Sequence, residues 1–256
     1  MSHRNGTRDV SAILGEQHRV DDDTVIWRYA AIERFLDLLF GHIGMSRADL
    51  QSDRAEGAVA WRKLRIVDGA WRRLGGERGE LRDFVERARR RSYLSCWHER
   101  ATESEAMWYH YGGWGTKVAF VSTVGKVRRA LGGATYGRVG YTDAVREEIH
   151  APEQLFFFKR APFRDEREVR FVLVAERDEH ELFREFPVDP DDLLDALYFA
   201  PEVPAGDARN YVRVAQAVYA QRGKRFTIPV RRSALAGDAF EDEDLEVQGD
   251  SDLDPV

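Results

Sequence analysis

Apolar and polar positions alternate along several short stretches and recur at helical spacing along others. Thr24 to Tyr29 is β-rich and predicts a first strand. Ile32, Phe35, Leu36 and Leu39 follow at helical spacing and predict an amphipathic helix that ends near Gly41 and Gly44. Residues 46–57 have no period and read as a loop. From Arg62 to Arg91, Leu64, Val67, Trp71, Leu74, Leu81, Phe84 and Val85 punctuate a charged segment and predict two helices. Tyr93 to Trp97 predicts a strand, and Glu105 to Tyr111 a short helix closed by the turn Gly112–Gly115. Further strands are predicted over Lys117–Thr123, Arg138–Thr142, Glu168–Ala175, Leu197–Ala200 and Arg225–Val230. A helix fits Asp207–Arg222, with Tyr211, Ala215, Val218 and Tyr219 on one face. Strands and helices do not alternate regularly. The pattern therefore predicts an α+β fold, a mixed central sheet with flanking helices, over a doubly wound parallel sheet.

Composition narrows this picture. The chain has 256 residues, 43% hydrophobic, enough for a substantial core. The net charge of -6 is unevenly placed: Asp238 to Val256 holds nine acidic residues and no basic one. That stretch reads as a solvated acidic tail, residues 1–22 as a polar arm, and 23–237 as one domain with a basic helical insert near 60–91. The single cysteine, Cys96, excludes an intrachain disulfide and a cysteine-based zinc site, and suits a reducing cytoplasm. The N-terminal residues lack the apolar core of a signal peptide. No apolar run is long enough to span a membrane.

The densest chemistry lies in Phe163-Arg-Asp-Glu-Arg-Glu-Val-Arg-Phe-Val-Leu-Val174. Read as a strand, it puts Glu166, Glu168 and Arg170 on one side and Arg167, Val169 and Phe171 on the other. Two carboxylates and a guanidinium at the mouth of a buried strand are costly unless paired. They form either a structural ion-pair network or a reaction centre.

Arg28 on the first strand, Ser95 on the second and Glu166-x-Glu168 on a third, in that order, resemble the Arg–Ser–Glu pattern of ADP-ribosyltransferases. The resemblance implies an ADP-ribosyltransferase-like fold and NAD as the substrate that donates ADP-ribose, with no metal. It implies that Arg28 holds a phosphate or the nicotinamide ribose, that Ser95 supports the glutamate, that Glu168 is catalytic and that Glu166 orients or activates the acceptor. Tyr29, Trp97, Trp108, Tyr111, Lys159 and Arg160 stand beside these motifs as candidate cofactor contacts. The family's Ser-Thr-Ser strand is here Ser95-Cys96-Trp97, so Trp97 replaces the second hydroxyl. A broader set of motifs also resembles the bacterial family catalogued as domain of unknown function 2971. They are Trp27-Arg-Tyr, Asp49-x-x-x-Asp53-x-x-Glu56-Gly57, Leu94-Ser-Cys-Trp-His98, Met107-Trp-x-x-Tyr111-Gly112, Lys159-Arg160-x-x-Phe163-x-x-Glu166-x-Glu168-Val-Arg170 and Tyr198-Phe-Ala-Pro201. Read together, these point to a bacterial transferase or NAD glycohydrolase, of the kind used as a toxin or phage-defence effector. An antitoxin or regulatory protein is its expected partner.

Other chemistries stay open. Asp53, Glu56, Glu166 and Glu168 with Lys159 could gather a magnesium ion in a nuclease, since hard cations take carboxylate oxygens. Arg62–Arg91 holds eleven basic residues against five acidic ones and is a candidate nucleic-acid surface, with or without catalysis. Gly112-Gly-Trp-Gly-Thr-Lys117 lacks the spacing of a phosphate-binding loop, and His98 and His110 lack a helical metal spacing. Each candidate also has a bland reading. Arg28 could end in a strand-edge ion pair, Ser95 in a satisfied core hydroxyl, and the aromatics in packing.

Overall fold

A single long sheet organises most of the chain. The computed structural model describes residues 8–51, 53, 56–57, 65–74, 80–111, 115–143, 148–177 and 180–236. The first elements are β1 (Arg8–Asp9), α1 (Ser11–Leu14), β2 (Val25–Ala31), α2 (Glu33–Leu39), β3 (His42–Arg47) and β4 (Arg65–Ile66). Next come α3 (Asp68–Arg73), α4 (Leu81–Arg91), β5 (Ser92–Glu99), α5 (Glu105–His110), β6 (Lys117–Thr123) and α6 (Val124–Ala130). Then follow β7 (Thr135–Arg138), β8 (Gly140–Tyr141), β9 (Glu148–Ile149), β10 (Phe158–Lys159), β11 (Glu168–Val174) and β12 (Phe183–Pro187). The last are α7 (Pro190–Leu193), β13 (Ala196–Phe199), α8 (Ala205–Gln221) and β14 (Val230–Arg232).

Ten strands share the main sheet. Its path runs β1-β7-β11-β5-β2-β6-β13-β14, with β3 joined to β5 and β12 joined to β3. The β1–β7 and β13–β14 pairs are parallel, while β11–β5, β2–β6 and β12–β3 are antiparallel. The fold is thus mixed α and β around a large mixed sheet. Among the described residues no helix is long and apolar enough to cross a membrane.

β5 is where the sheet divides. On one edge it pairs with β11 from Ser92 to His98. On the other edge its two ends take different partners: His98 and Glu99 pair with Trp27 and Ile26 of β2, whereas Tyr93 and Leu94 pair with Arg47 and Ser46 of β3. Ser95, Cys96 and Trp97 face the gap between them. Strand alternation then sorts the side chains. Leu94, Cys96 and Val172 pack toward Trp71, Phe84 and Val85 of α3 and α4. Tyr93, Trp97, Val169 and Phe171 join the larger core.

Several expectations need correction. Residues 46–57 are not all loop: Ser46 and Arg47 end β3, and Ala48–Leu50 form one 3-10 turn. Gly44 was expected to stop a helix, yet it lies within β3, where strand pairing to β12 replaces side-chain packing. The polar arm is tied down from Arg8, because β1 pairs with β7 and Val10, Leu14, His18 and Val20 are buried. The last strand begins only at Val230. Arg62 to Leu64, Gly112 to Trp114 and the acidic tail lie outside the described residues.

Candidate functional site

The carboxylate cluster forms where β11 begins. Glu166 is not on the strand, as alternation alone would have it. It closes a 3-10 helix over Ala161–Glu166, and Arg167 then takes left-handed backbone angles (φ 48°, ψ 50°) before β11 starts at Glu168. A left-handed non-glycine residue is strained by roughly 1–3 kcal/mol and persists only where its surroundings hold it. The kink brings the Glu166 carboxyl beside that of Glu168. Lys159, at the end of β10, donates to both: to Glu166 Oε2, and to Glu168 Oε1 at 2.9 Å.

Behind this pair the charges are fully matched. Arg170 donates through Nε to Glu168 Oε2, through Nη2 to Glu56 Oε2 at 2.9 Å, and through Nη1 to the Phe156 carbonyl at 2.7 Å. Glu56, Glu168 and Arg170 are each no more than 2% exposed. The Tyr141 hydroxyl accepts the Glu168 backbone N–H at 2.8 Å. Glu56 and Glu168 thus balance Lys159 and Arg170, and Glu166 is the fifth charge.

That count sets the protonation states. Burial, then the hydrogen bond and negative charge of Glu168, push the Glu166 carboxyl up to about 7, against the pull of Lys159. Burial also opposes ionisation of Glu168, but Arg170 and Lys159 outweigh it and hold that carboxyl well below the usual range. Glu166 keeps 15% of its side chain exposed, against 2% for Glu168. The proton-carrying carboxyl is therefore the accessible one.

An aromatic wall stands beside it. His98 lies directly across from Glu168 in the β5–β11 register, and Trp27 lies across from His98 on β2. Burial pushes the His98 imidazole down, so it is neutral at pH 7. Its Nδ1 sits 2.8 Å from the Glu166 carbonyl, which can only accept, so Nδ1 carries the proton. The His98 ring meets Tyr111 at 4.8 Å and Tyr29 at 5.9 Å, and Tyr29 meets Trp108 at 4.8 Å. The Tyr111 hydroxyl hydrogen-bonds Glu166, and burial raises its pKa. Cys96 is no nucleophile here: burial and the Glu168 charge push its thiol up to about 12.

The other sequence candidates divide between the two faces of the sheet. Glu166, Glu168, Lys159, Tyr111, Tyr29 and Trp108 come together. Arg160 lies at the edge, paired with Asp53 at 3.1 Å and stacked over Phe163. Arg28, Ser95 and Trp97 meet one another on the opposite face. There Arg28 Nη1 donates to Ser95 Oγ at 3.4 Å, and Trp97 Nε1 donates to the same oxygen at 3.0 Å. Ser95 therefore does not support Glu168: three positions separate it from His98, an odd step that reverses the face. Among the described residues the carboxylates proposed for magnesium form no group that could hold a metal ion: Lys159 takes Glu166 and Glu168, Arg170 takes Glu168 and Glu56, and Arg160 takes Asp53. His98 and Tyr141 were not assigned to the reaction centre from sequence, and Glu56 only as a magnesium ligand. For His98, a register drawn from Glu168 across a neighbouring strand would have found it; nothing local marks Tyr141. No family model, curated protein or solved structure matches this chain.

Proposed function

We propose that the chain is an enzyme that works through the Glu166 carboxyl, with Glu168, Lys159 and His98 holding that group in place. The observation that carries this reading is the pair of adjacent carboxyls driven apart in acidity, the accessible one to about 7. Such a pair assigns one group to proton transfer and the other to a fixed charge. A general base poised near the working pH is the efficient choice.

The proposed substrate is NAD, which the resemblance implies and the surroundings of Glu166 suit. The partly exposed Tyr111 ring offers a surface for a flat heterocycle, with the buried His98, Tyr29 and Trp108 rings packed behind it. Nicotinamide leaves without needing a proton, and negative charge near the ribose stabilises the cationic transition state. Glu166 then takes the proton from the attacking hydroxyl or water. Glu168, with both oxygens engaged, keeps the neighbouring charges in register. This exchanges emphasis within the pair, from the buried carboxylate to the exposed one. In this reading the sheet is ADP-ribosyltransferase-like, and Arg28 does not reach the reacting centre.

The purely structural reading rests on a specific fact, the complete pairing of Glu168. Nicotinamide release from NAD separates the two readings, measured with RNA, DNA and protein acceptors present. The enzyme reading expects turnover in the native chain and a loss of about a hundredfold or more in Glu166→Gln with folding intact. Absence of turnover under every condition, or equal turnover in the variant, would overturn it.

A further inference from the structure

Arg28 is a cation set into the fork of the sheet with only neutral partners. A guanidinium has five N–H donors. Those of Arg28 find the Ser95 hydroxyl at 3.4 Å and the Gly44 carbonyl at 3.1 Å, with the Trp97 ring 6.0 Å from its centre. Among the described residues no carboxylate pairs with it. Lys159 and Arg170, by contrast, each hold two carboxylates. Enclosure weakens its hold on its proton, lowering its pKa to about 10.

The fork opens outward. Its mouth is lined by Arg28, Arg34, Asp37, His42, Gly44 and Phe120, among others. Arg34 and Asp37 neutralise each other at 2.7 Å, and His42 is at the exposed rim. A Cβ placed on Gly44 would meet nothing within 4 Å, so the space over that glycine is open. The enclosed part of the cleft is about 10 Å³. That takes one water-sized atom, so one oxygen of an anion enters and the rest of the group stays at the open mouth.

We propose that this fork binds a carboxylate, which Arg28 receives on the face opposite to Glu166. Two observations choose the ligand. The guanidinium is a planar fork, the geometry that takes a carboxylate through two parallel hydrogen bonds. The lining offers one uncompensated positive charge, since Arg34 and Asp37 cancel, and this matches a monoanion. The site is separate from the Glu166 centre and holds whatever that centre does.

The test measures thermal stabilisation of the full chain at pH 8 and constant ionic strength, with chloride as the reference salt. Acetate probes a free carboxylic acid, N-acetylglutamate amide probes a carboxylate borne on a polypeptide, and inorganic phosphate probes a dianion. The expected result is saturable stabilisation by at least one carboxylate beyond chloride, and which of the two binds more tightly identifies the source. Arg28→Lys keeps the charge and loses the fork, and weakens binding by about tenfold or more. Arg28→Met removes the donors, and abolishes binding. Stabilisation by neither carboxylate, a preference for phosphate, or full binding by Arg28→Met would each overturn the assignment.

Discussion

The two faces of β5 treat an arginine in opposite ways, one buried and one half-buried. On one face Arg170 is enclosed by Glu56 and Glu168 and bonds a backbone carbonyl as well. On the other, Arg28 has a serine hydroxyl and a glycine carbonyl. The first arrangement is complete within the chain, so its charges serve to fix one another and to set the acidity of Glu166. The second leaves donors free. The state of its partners therefore says more about an arginine here than its depth.

The strongest way to break this contrast is to remove each guanidinium in turn. Arg170→Met strands two buried carboxylates and should cost about 3–5 kcal/mol of stability in chemical denaturation. Arg28→Met removes two hydrogen bonds to neutral groups and should cost about 1 kcal/mol. Equal losses would erase the distinction between the faces.

A smaller effect concerns pH. Glu166 holds its proton up to about 7 when folded, against 4.5 ordinarily, so folding takes up a proton between those values. Stability from this group is therefore greatest below about 4.5 and falls as pH rises to about 7. Glu168 runs the other way: its folded acidity is stronger, so its contribution is complete above 4.5 and is lost on acidification. Between about pH 5 and pH 8 the Glu166 slope should dominate, on the order of 2 kcal/mol. Glu166→Gln should flatten that slope while leaving the loss at low pH, as denaturation curves across the range would report.

Some of this was legible in the chain and some was not. β2, β5, β6 and β11 announce themselves because β-branched and aromatic residues concentrate there. β3 and β12 do not. His42–Arg47 contains Gly44, and Phe183–Pro187 ends in proline and has no fully buried residue, so neither carries the signature of a buried strand. Alternation correctly places Glu168 and Arg170 on one face. It cannot foresee that Arg167 turns left-handed, so that Glu166 reaches the cluster from a 3-10 helix. Nor could chain order reveal that Ser95 and Glu168 face apart. That follows from the register, in which His98, and not Ser95, lies opposite Glu168.

The central claim is that Glu166 carries the mobile proton while Glu168 stays ionised. The carboxyl carbon resonance of Glu166, assigned by comparison with Glu166→Gln and followed through a pH titration, tests it directly. The account predicts a midpoint near 7. A midpoint in the ordinary glutamate range, about 4.3, would contradict it.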